Sequence, residues 1–261
     1  MQTNYHFSIQ RFIILIKYSL RVNKKTVGIS LAGISGILFL LLLFFQKMSN
    51  FQFWSNQGYI GTFIFFFFSL GALYSSSSFP AFRSKEKSIA YLTLPASTSE
   101  KYFFELLTRV IGYIILMPLL FWVIANIEGS IAHYYEPSFI NYKFSFKQAL
   151  IDNPIQGGWK KLAIIQSGLF VFIAAFAGAS HFKKSPLVKS LFMFSIIVIS
   201  YFLYIYLLHK GLNLDNYTVS NHRMLFFKSE KGSIAFFAIV ATIINLSLLA
   251  IAWFRLKERE V

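Results

Sequence analysis

Residues 37–45 read Ile-Leu-Phe-Leu-Leu-Leu-Leu-Phe-Phe, and residues 65–68 are four consecutive phenylalanines. Neither run contains a polar side-chain atom, so each is costly to expose to water and is accommodated by lipid. A helix of about 20 such residues crosses a hydrocarbon core about 30 Å thick. Helices also satisfy their own backbone hydrogen bonds in lipid, and these runs lack the alternation of barrel strands. The sequence therefore predicts an all-α integral membrane protein.

Six segments of the sequence are long and apolar enough to cross a bilayer in this way. The predicted spans are Thr26–Gln46, Gly58–Ser78, Leu107–Ile127, Leu162–Ser180, Ser190–Leu208 and Ser233–Phe254. The first span ends in large residues rather than the small ones of a signal-peptide cleavage site, so we expect it to remain as a transmembrane helix. We assign residues 1–25 to an N-terminal segment and residues 26–261 to a six-helix transmembrane domain. Its predicted outer loops are 128–161 and 209–232.

The composition agrees with a membrane protein and excludes several other classes. Of the 261 residues, 56% are hydrophobic and 13% are charged, whereas soluble domains carry about 25% charged residues. So few charges cannot cover the surface of an ordinary cytosolic enzyme. The chain has no cysteine, which excludes disulfides, thiolate metal sites and a cysteine nucleophile.

The distribution of basic residues predicts the orientation of the chain. It carries 25 Lys and Arg against 10 Asp and Glu, a formal net charge of +15. One side of the predicted spans holds 15 of the basic residues and the other side 9, and Arg109 lies inside a span. Because basic residues concentrate on the cytoplasmic side of membrane proteins, we predict that both termini are cytoplasmic. We attribute the basic excess to this orientation and expect no nucleic-acid partner.

Residues 1–25 form an amphipathic pattern ahead of the first span. Basic side chains recur at helical spacing, with apolar side chains roughly opposite. The basic residues are Arg11, Lys17, Arg21 and Lys24, and the apolar ones are Phe12, Leu15, Ile16 and Val22. This pattern predicts an amphipathic helix that lies in the membrane interface. Two interpretations remain: an anchor that sets topology, and a docking helix for a cytoplasmic subunit.

The predicted cytoplasmic loop 80–105 combines charged and apolar residues. Residues 83–87 read Arg-Ser-Lys-Glu-Lys, and residues 91–97 read Tyr-Leu-Thr-Leu-Pro-Ala-Ser. Pro95 prevents a helix from continuing through the apolar patch. The next helix is predicted to have Ser97 or Thr98 as its cap and Glu100 and Lys101 in its first turn. The loop is too polar for lipid and too apolar for a solvated loop, so we expect it to be buried against a soluble partner.

With this loop, its amphipathic N-terminus and its six spans, the chain resembles ABC-2 type transporter permeases over nearly its whole length. The most specific part is Leu94-Pro95-Ala96-Ser97 with Glu100-Lys101, and the ending Phe254-Arg255-Leu256-Lys257 is also similar. The resemblance implies a permease without ATPase activity, paired with a separate nucleotide-binding ATPase subunit and with a second permease half, identical or homologous. It further implies an exporter in the inner membrane of a bacterial cell. The outer segment 128–161 is longer than this resemblance leads us to expect.

The resemblance also implies that the N-terminal helix and loop 80–105 contact the ATPase subunit. In a groove of that subunit, Tyr91, Leu92 and Leu94 would be buried anchors within a charged rim. The predicted coupling residues are Arg83, Lys85, Glu86, Lys87, Tyr91, Leu92, Leu94, Pro95, Glu100 and Lys101. The alternative is that the apolar patch folds back onto lipid headgroups or onto the N-terminal helix.

Polar residues inside the predicted spans favour structural roles. Glu105 and Arg109 are four positions apart, so they share a helix face and can form an intramembrane pair. Hydrogen bonds between helices explain Asn126, Gln166 and Asn245, and the lining of a substrate path is the alternative. The small residues among 174–179 allow another segment to approach closely.

Sequence motifs for an in-chain motor or catalyst are absent. There is no Gly-x-x-x-x-Gly-Lys-Ser/Thr phosphate loop, and the five histidines lie outside the spans without metal-ligand spacing. We therefore predict no catalytic residue, cofactor or metal site in this chain. Two alternatives to a permease remain: a membrane scaffold or assembly subunit without transport, and a membrane-embedded enzyme, which would need clustered acidic or histidine residues.

Overall fold

The computed structural model of the protein describes residues 7–48, 56–80, 89, 96–135, 143–148, 157–182, 185–186, 188–193, 195–196, 199–200, 203 and 230–260. Its helices are α1 (Ile9–Met48), α2 (Asn56–Ser76), α3 (Thr98–Leu106), α4 (Gly112–Tyr135), α5 (Gly158–His181) and α6 (Glu230–Glu260). A π-helical turn, Leu107–Ile111, joins α3 to α4. These residues contain no β-strand, so this part of the chain is all-helical, as the apolar runs predicted.

Five of the helical segments are long and apolar enough to cross a membrane. They are Ile9–Met48, Gln57–Ser76, Thr98–Tyr135, Gly158–His181 and Lys231–Glu258. The chain is therefore a multi-pass helical membrane protein, and these segments correspond to five of the six predicted spans. The remaining span, Ser190–Leu208, lies partly outside the described residues, although its described positions are helical. The count of six spans and the cytoplasmic position of the termini stay predictions.

The first helix is longer than one membrane crossing. α1 runs for 40 residues without interruption, which corresponds to about 60 Å, or about twice the thickness of a hydrocarbon core. The predicted boundary at residue 25, between an interfacial helix and the first span, therefore lies inside one continuous helix. Part of α1 must extend beyond the hydrocarbon or incline strongly within the membrane.

The third predicted span is also extended at both ends. We predicted Leu107–Ile127, whereas helical structure continues from Thr98 to Tyr135. Residues 98–105 are helical, in agreement with the helix start predicted at Ser97 or Thr98 within loop 80–105. Residues 128–135, which we assigned to an outer loop, are also helical.

The chain divides into two compact units, and the first comprises residues 1–74 and 92–155. In this unit the start of α1 contacts the start of α3, and the end of α1 contacts α4 and the first turn of α2. α1 and α3–α4 therefore run parallel, and α2 runs in the opposite direction. The core between them consists mainly of Leu38, Leu42, Tyr59, Met117, Phe121, Ile124, Ala125 and Phe144.

Within this unit α1 is packed at its two ends and exposed between them. Ser8 and Gln46 are 38 positions apart, whereas their contacts Glu100 and Glu128 are 28 positions apart. At about 1.5 Å per residue, α1 covers about 15 Å more than α3–α4, so the two cannot both be straight and parallel. Residues 20–33 are all exposed, and α1 stands clear of its neighbours there.

The second unit comprises residues 75–91 and 156–261, and in it α5 packs along α6. The ring of Phe79 lies 4.9 Å from the ring of Phe176, measured between centroids. A Cβ atom placed on Gly178 would collide with the Oγ of Ser190, so a larger residue at this position would require Ser190 to move. The close contact predicted for residues 174–179 is therefore made within this chain.

Candidate functional site

Some of the predicted site residues are among the residues that the structure describes, and others are not. Eight of the ten predicted coupling residues lie outside the described residues: Arg83, Lys85, Glu86, Lys87, Tyr91, Leu92, Leu94 and Pro95. Glu100 and Lys101 lie in the first turn of α3, and the four basic residues of the N-terminal segment lie on α1. Glu105 and Arg109 lie on either side of the start of the π-helical turn.

The start of α3 is fixed by a capping box. Ser97 is the N-cap, and its Oγ accepts a hydrogen bond of 3.3 Å from the backbone N–H of Glu100. In return, the backbone N–H of Ser97 donates to Glu100 Oε2 at 2.9 Å. These bonds satisfy two of the donors that a helix N-terminus leaves without an intrahelical partner. The prediction that Ser97 or Thr98 caps this helix is confirmed, with Ser97 as the cap.

The same carboxylate also binds the start of α1. The backbone N–H of Ser8 donates to Glu100 Oε1 at 2.7 Å, and Arg11 Nη2 lies 3.0 Å from the same oxygen. The Glu100 side chain is 0% exposed, whereas that of Arg11 is 32% exposed. One buried anion therefore joins the N-termini of two helices, where the positive ends of both helix dipoles favour it. We call Ser8, Arg11, Ser97 and Glu100 the Glu100 clamp.

The clamp changes the interpretation of Glu100 and Lys101. We predicted both as members of a charged rim around the apolar patch of loop 80–105, and both are buried inside the chain. Glu100 is turned inward because its oxygens accept the free N–H groups at two helix starts. The sequence placed these residues in the first turn correctly, but it did not indicate that the first turn packs against α1.

The other basic residues of the N-terminal segment remain outside the clamp. Lys17, Arg21 and Lys24 are exposed, whereas Leu15 on the other side of the helix is buried. Val22, which we placed on the apolar face, is exposed as well, so the amphipathic character of this segment stays a prediction. Whether this segment meets lipid headgroups or a protein subunit stays a prediction.

Glu105 and Arg109 come together two turns beyond the clamp. Arg109 Nε lies 3.6 Å from Glu105 Oε2, and the guanidinium also sits over the ring of Tyr74, 4.9 Å from its centroid. Glu105 is buried and Arg109 is partly exposed. The cation is therefore held by a carboxylate of its own helix and by an aromatic ring of α2.

All three predicted polar residues, Asn126, Gln166 and Asn245, form hydrogen bonds between separate segments. Asn245 Nδ2 in α6 donates to Gln166 Oε1 in α5 at 2.8 Å. Asn126 Nδ2 donates to the carbonyl of Trp122 in its own helix at 2.8 Å and to that of Phe144 at 3.2 Å. The bond between Asn245 and Gln166 agrees with the interhelical role predicted for such residues in a membrane, whereas Asn126 bonds within α4 and to the segment 143–148.

A second polar cluster in the first unit was missed by the sequence analysis. Gln46, Tyr59 and Glu128 meet where α1 ends, α2 begins and α4 passes, and all three are fully buried. We had treated Gln46 as the end of a span and Glu128 as the first residue of a loop. The only signal in the sequence was the position of each polar residue at the edge of an apolar run. Nothing in one dimension brings residues 82 positions apart together.

The described residues contain no group of three His, Cys, Asp or Glu side chains that could hold a metal ion. The Glu100 clamp consists of an ion pair with a buried carboxylate and of backbone hydrogen bonds at two helix starts. Known protein families, curated proteins and solved structures give no match to this chain.

Proposed function

We propose that this chain is the transmembrane permease subunit of an ATP-binding-cassette exporter in the inner membrane of a bacterial cell. A separate ATPase subunit drives it, and a second permease half, identical or homologous, completes the pathway. The proposal rests on the resemblance of loop 80–105 and the N-terminus to ABC-2 type permeases. One structural observation supports it: the Glu100 clamp joins the two segments that this resemblance assigns to the ATPase interface.

The clamp gives these two segments a mechanical connection. Loop 80–97 leads directly into the capped start of α3, and the same carboxylate holds the start of α1. Separating a buried charge from its partner costs about 3–5 kcal/mol, so a force on the loop is transmitted to α1 before the clamp opens. Since α1 is exposed along residues 20–33, it has room to move when its start is displaced.

The test is the effect of Leu92→Asp and Leu94→Asp on partner binding. We expect both variants to insert and fold but to lose copurification of the ATPase subunit and its transport-coupled ATPase rate, because a carboxylate cannot occupy an apolar groove. Tyr134→Asp is the matched control: Tyr134 is an 82% exposed aromatic residue near the far end of α4. This control should keep the partner.

Each outcome separates the candidate functions. Loss of the ATPase subunit from Leu92→Asp and Leu94→Asp, but not from Tyr134→Asp, supports the permease function. Full partner binding and transport in all three variants would contradict the docking role of loop 80–105. A purified complex that contains other membrane proteins but no ATPase subunit would favour the scaffold or assembly subunit instead.

A further inference from the structure

The cluster of Gln46, Tyr59 and Glu128 joins three helices of the first unit through one carboxyl group. Glu128 Oε2 accepts a hydrogen bond from Gln46 Nε2 at 3.0 Å and another from the hydroxyl of Tyr59 at 3.1 Å. Gln46 Nε2 also lies 2.6 Å from the Tyr59 hydroxyl. Both donors to the carboxyl group are uncharged, and Glu128 is 0% exposed.

The second oxygen of the carboxyl group is in a different situation. Glu128 Oε1 is buried and has no hydrogen-bond donor in the part of the chain that the structure describes. A buried acceptor without a donor is unfavourable, and an ionised one is much more so. One oxygen of Glu128 is thus fully occupied, while the other is available for a ligand that brings its own positive charge.

The charged groups around Glu128 do not supply that charge. On α1, Lys47 is exposed, and on the packed segment 143–148 both Lys143 and Lys147 are exposed. His133 on α4 lies five positions further along the helix, and none of these groups forms an ion pair with Glu128 among the described residues. From α2, the titratable group that faces Glu128 is Tyr59 itself.

The remaining walls of the cluster are apolar. Leu42 lies one turn before Gln46 and is fully buried, and the ring of Phe144 lies 5.4 Å from the ring of Tyr59, measured between centroids. Phe121 packs edge-on against Phe144 at 5.5 Å between ring centroids. A metal cation would need several more oxygen ligands, whereas a single proton needs only one oxygen. The surroundings therefore suit the smallest cation.

We propose that Glu128 is a proton-binding site, with the proton on Oε1 when α1, α2 and α4 are packed as they are here. The neutral carboxyl group then accepts from Gln46 and Tyr59 through Oε2, and no uncompensated charge is buried. Transfer of the proton to water would leave an anion between three helices, so this end of the unit must open for the proton to leave. The site is independent of the proposed transport function.

Infrared spectroscopy of the full-length protein in lipid nanodiscs tests this proposal directly. At neutral pH we expect an absorption band of a protonated carboxylic acid in the wild-type protein, shifted by exchange into D₂O. The band should be absent from Glu128→Gln, which keeps the size of the side chain and carries no proton-binding carboxyl group. Glu105→Gln is the matched control and should retain the band, because Glu105 is paired with Arg109.

A second variant keeps the test valid if Glu128→Gln does not fold. Tyr59→Phe removes one donor to Oε2 and leaves the carboxyl group in place, so the acid band should remain and shift to higher frequency. Identical spectra of the wild-type protein and Glu128→Gln in the carboxylic-acid region would overturn the proposal. An acid band that Tyr59→Phe does not shift would also overturn it, since that band would then belong to another residue.

Discussion

At the scale of single residues, Glu100 connects parts of the chain that are 92 positions apart in sequence. Its carboxylate is held by two backbone N–H groups and by a guanidinium, so burial is compensated on both oxygens. Such charge-assisted bonds are stronger than neutral ones, and removal of the anion leaves Arg11 and two helix starts without it. We therefore expect removal of the Glu100 side chain alone to lower the stability of the folded protein considerably.

We expect Glu100→Ala to lower the free energy of unfolding by about 2–3 kcal/mol. The matched control is Glu258→Ala, which removes an exposed ion pair with Arg255 at 2.9 Å and should change stability by less than about 1 kcal/mol. Thermal unfolding of both purified variants in the same detergent provides the measurement. Equal melting temperatures for the two variants would contradict the role of the clamp.

The Glu105–Arg109 pair is expected to contribute through charge pairing within α3 and the π-helical turn. Arg109→Ala strands a buried carboxylate, so we expect a clear loss of folded protein. Exchange of the two residues, Glu105→Arg with Arg109→Glu, should retain more folded protein than Arg109→Ala, although it gives up the contact with Tyr74. Size-exclusion chromatography of membrane extracts measures the folded fraction. Equal yields of folded protein for all variants would show that the Glu105–Arg109 pair does not contribute to folding.

At the scale of elements, helix ends and close contacts account for most differences from the predicted boundaries. α3 begins at Thr98 because Ser97 and Glu100 form a capping box. In the second unit, the close approach of Ser190 to α5 depends on the absence of a side chain at Gly178. Small residues in membrane helices serve the same purpose of close approach.

This contact predicts opposite effects for two glycine substitutions. Gly178→Ala should destabilise the protein by about 1–3 kcal/mol, because the new methyl group overlaps Ser190. Gly61→Ala in α2 meets no atom within 4 Å and should be neutral or stabilise by up to about 1 kcal/mol through helix propensity.

Thermal unfolding compares the two variants, and a further variant that combines Gly178→Ala with Ser190→Gly tests the cause. The combined variant should recover part of the lost stability, since it removes the overlapping side chain. If Gly178→Ala and Gly61→Ala change the melting temperature equally, Ser190 does not approach α5 as described.

At the scale of the whole molecule, the number of spans decides on which side the C-terminus lies. The five long apolar helices alone would leave the two termini on opposite sides of the membrane, whereas a sixth span at Ser190–Leu208 would place them on the same side. With the six spans predicted from the apolar runs, the distribution of basic residues, 15 against 9, predicts that both termini are cytoplasmic.

Reporter fusions distinguish these topologies. We expect fusions after Lys87 and after Val261 to report a cytoplasmic location and a fusion near Tyr142 to report an outer one. An outer location after Val261, with the other two as expected, would reduce the count to five. A cytoplasmic location near Tyr142 would refute the arrangement of the first three spans.

The sequence by itself determined the features that depend on neighbours within about one helical turn. Long apolar runs predicted helices in lipid. Pro95, followed by Ser97 and Thr98 as candidate caps, predicted the start of α3, and the spacing of Glu105 and Arg109 predicted their contact. In each case the helix repeat or the bilayer thickness sets the geometry, so no other part of the chain is needed. The sequence did not show that the predicted N-terminal helix is part of α1. A helix continues from a polar segment into an apolar one when no residue between them breaks it, so the change in composition at residue 25 did not mark a helix end.

Only the tertiary structure decided which distant residues meet. The Glu100 clamp and the cluster of Gln46, Tyr59 and Glu128 join residues 69–92 positions apart. Whether two such residues meet depends on the length, direction and inclination of whole helices, which short-range patterns do not specify. Burial then fixes their chemistry: the same residue type is an ion paired with Arg11 at position 100 and is surrounded by neutral donors and aromatic rings at position 128. A carboxylate can be recognised in a sequence, but its partners are set by packing.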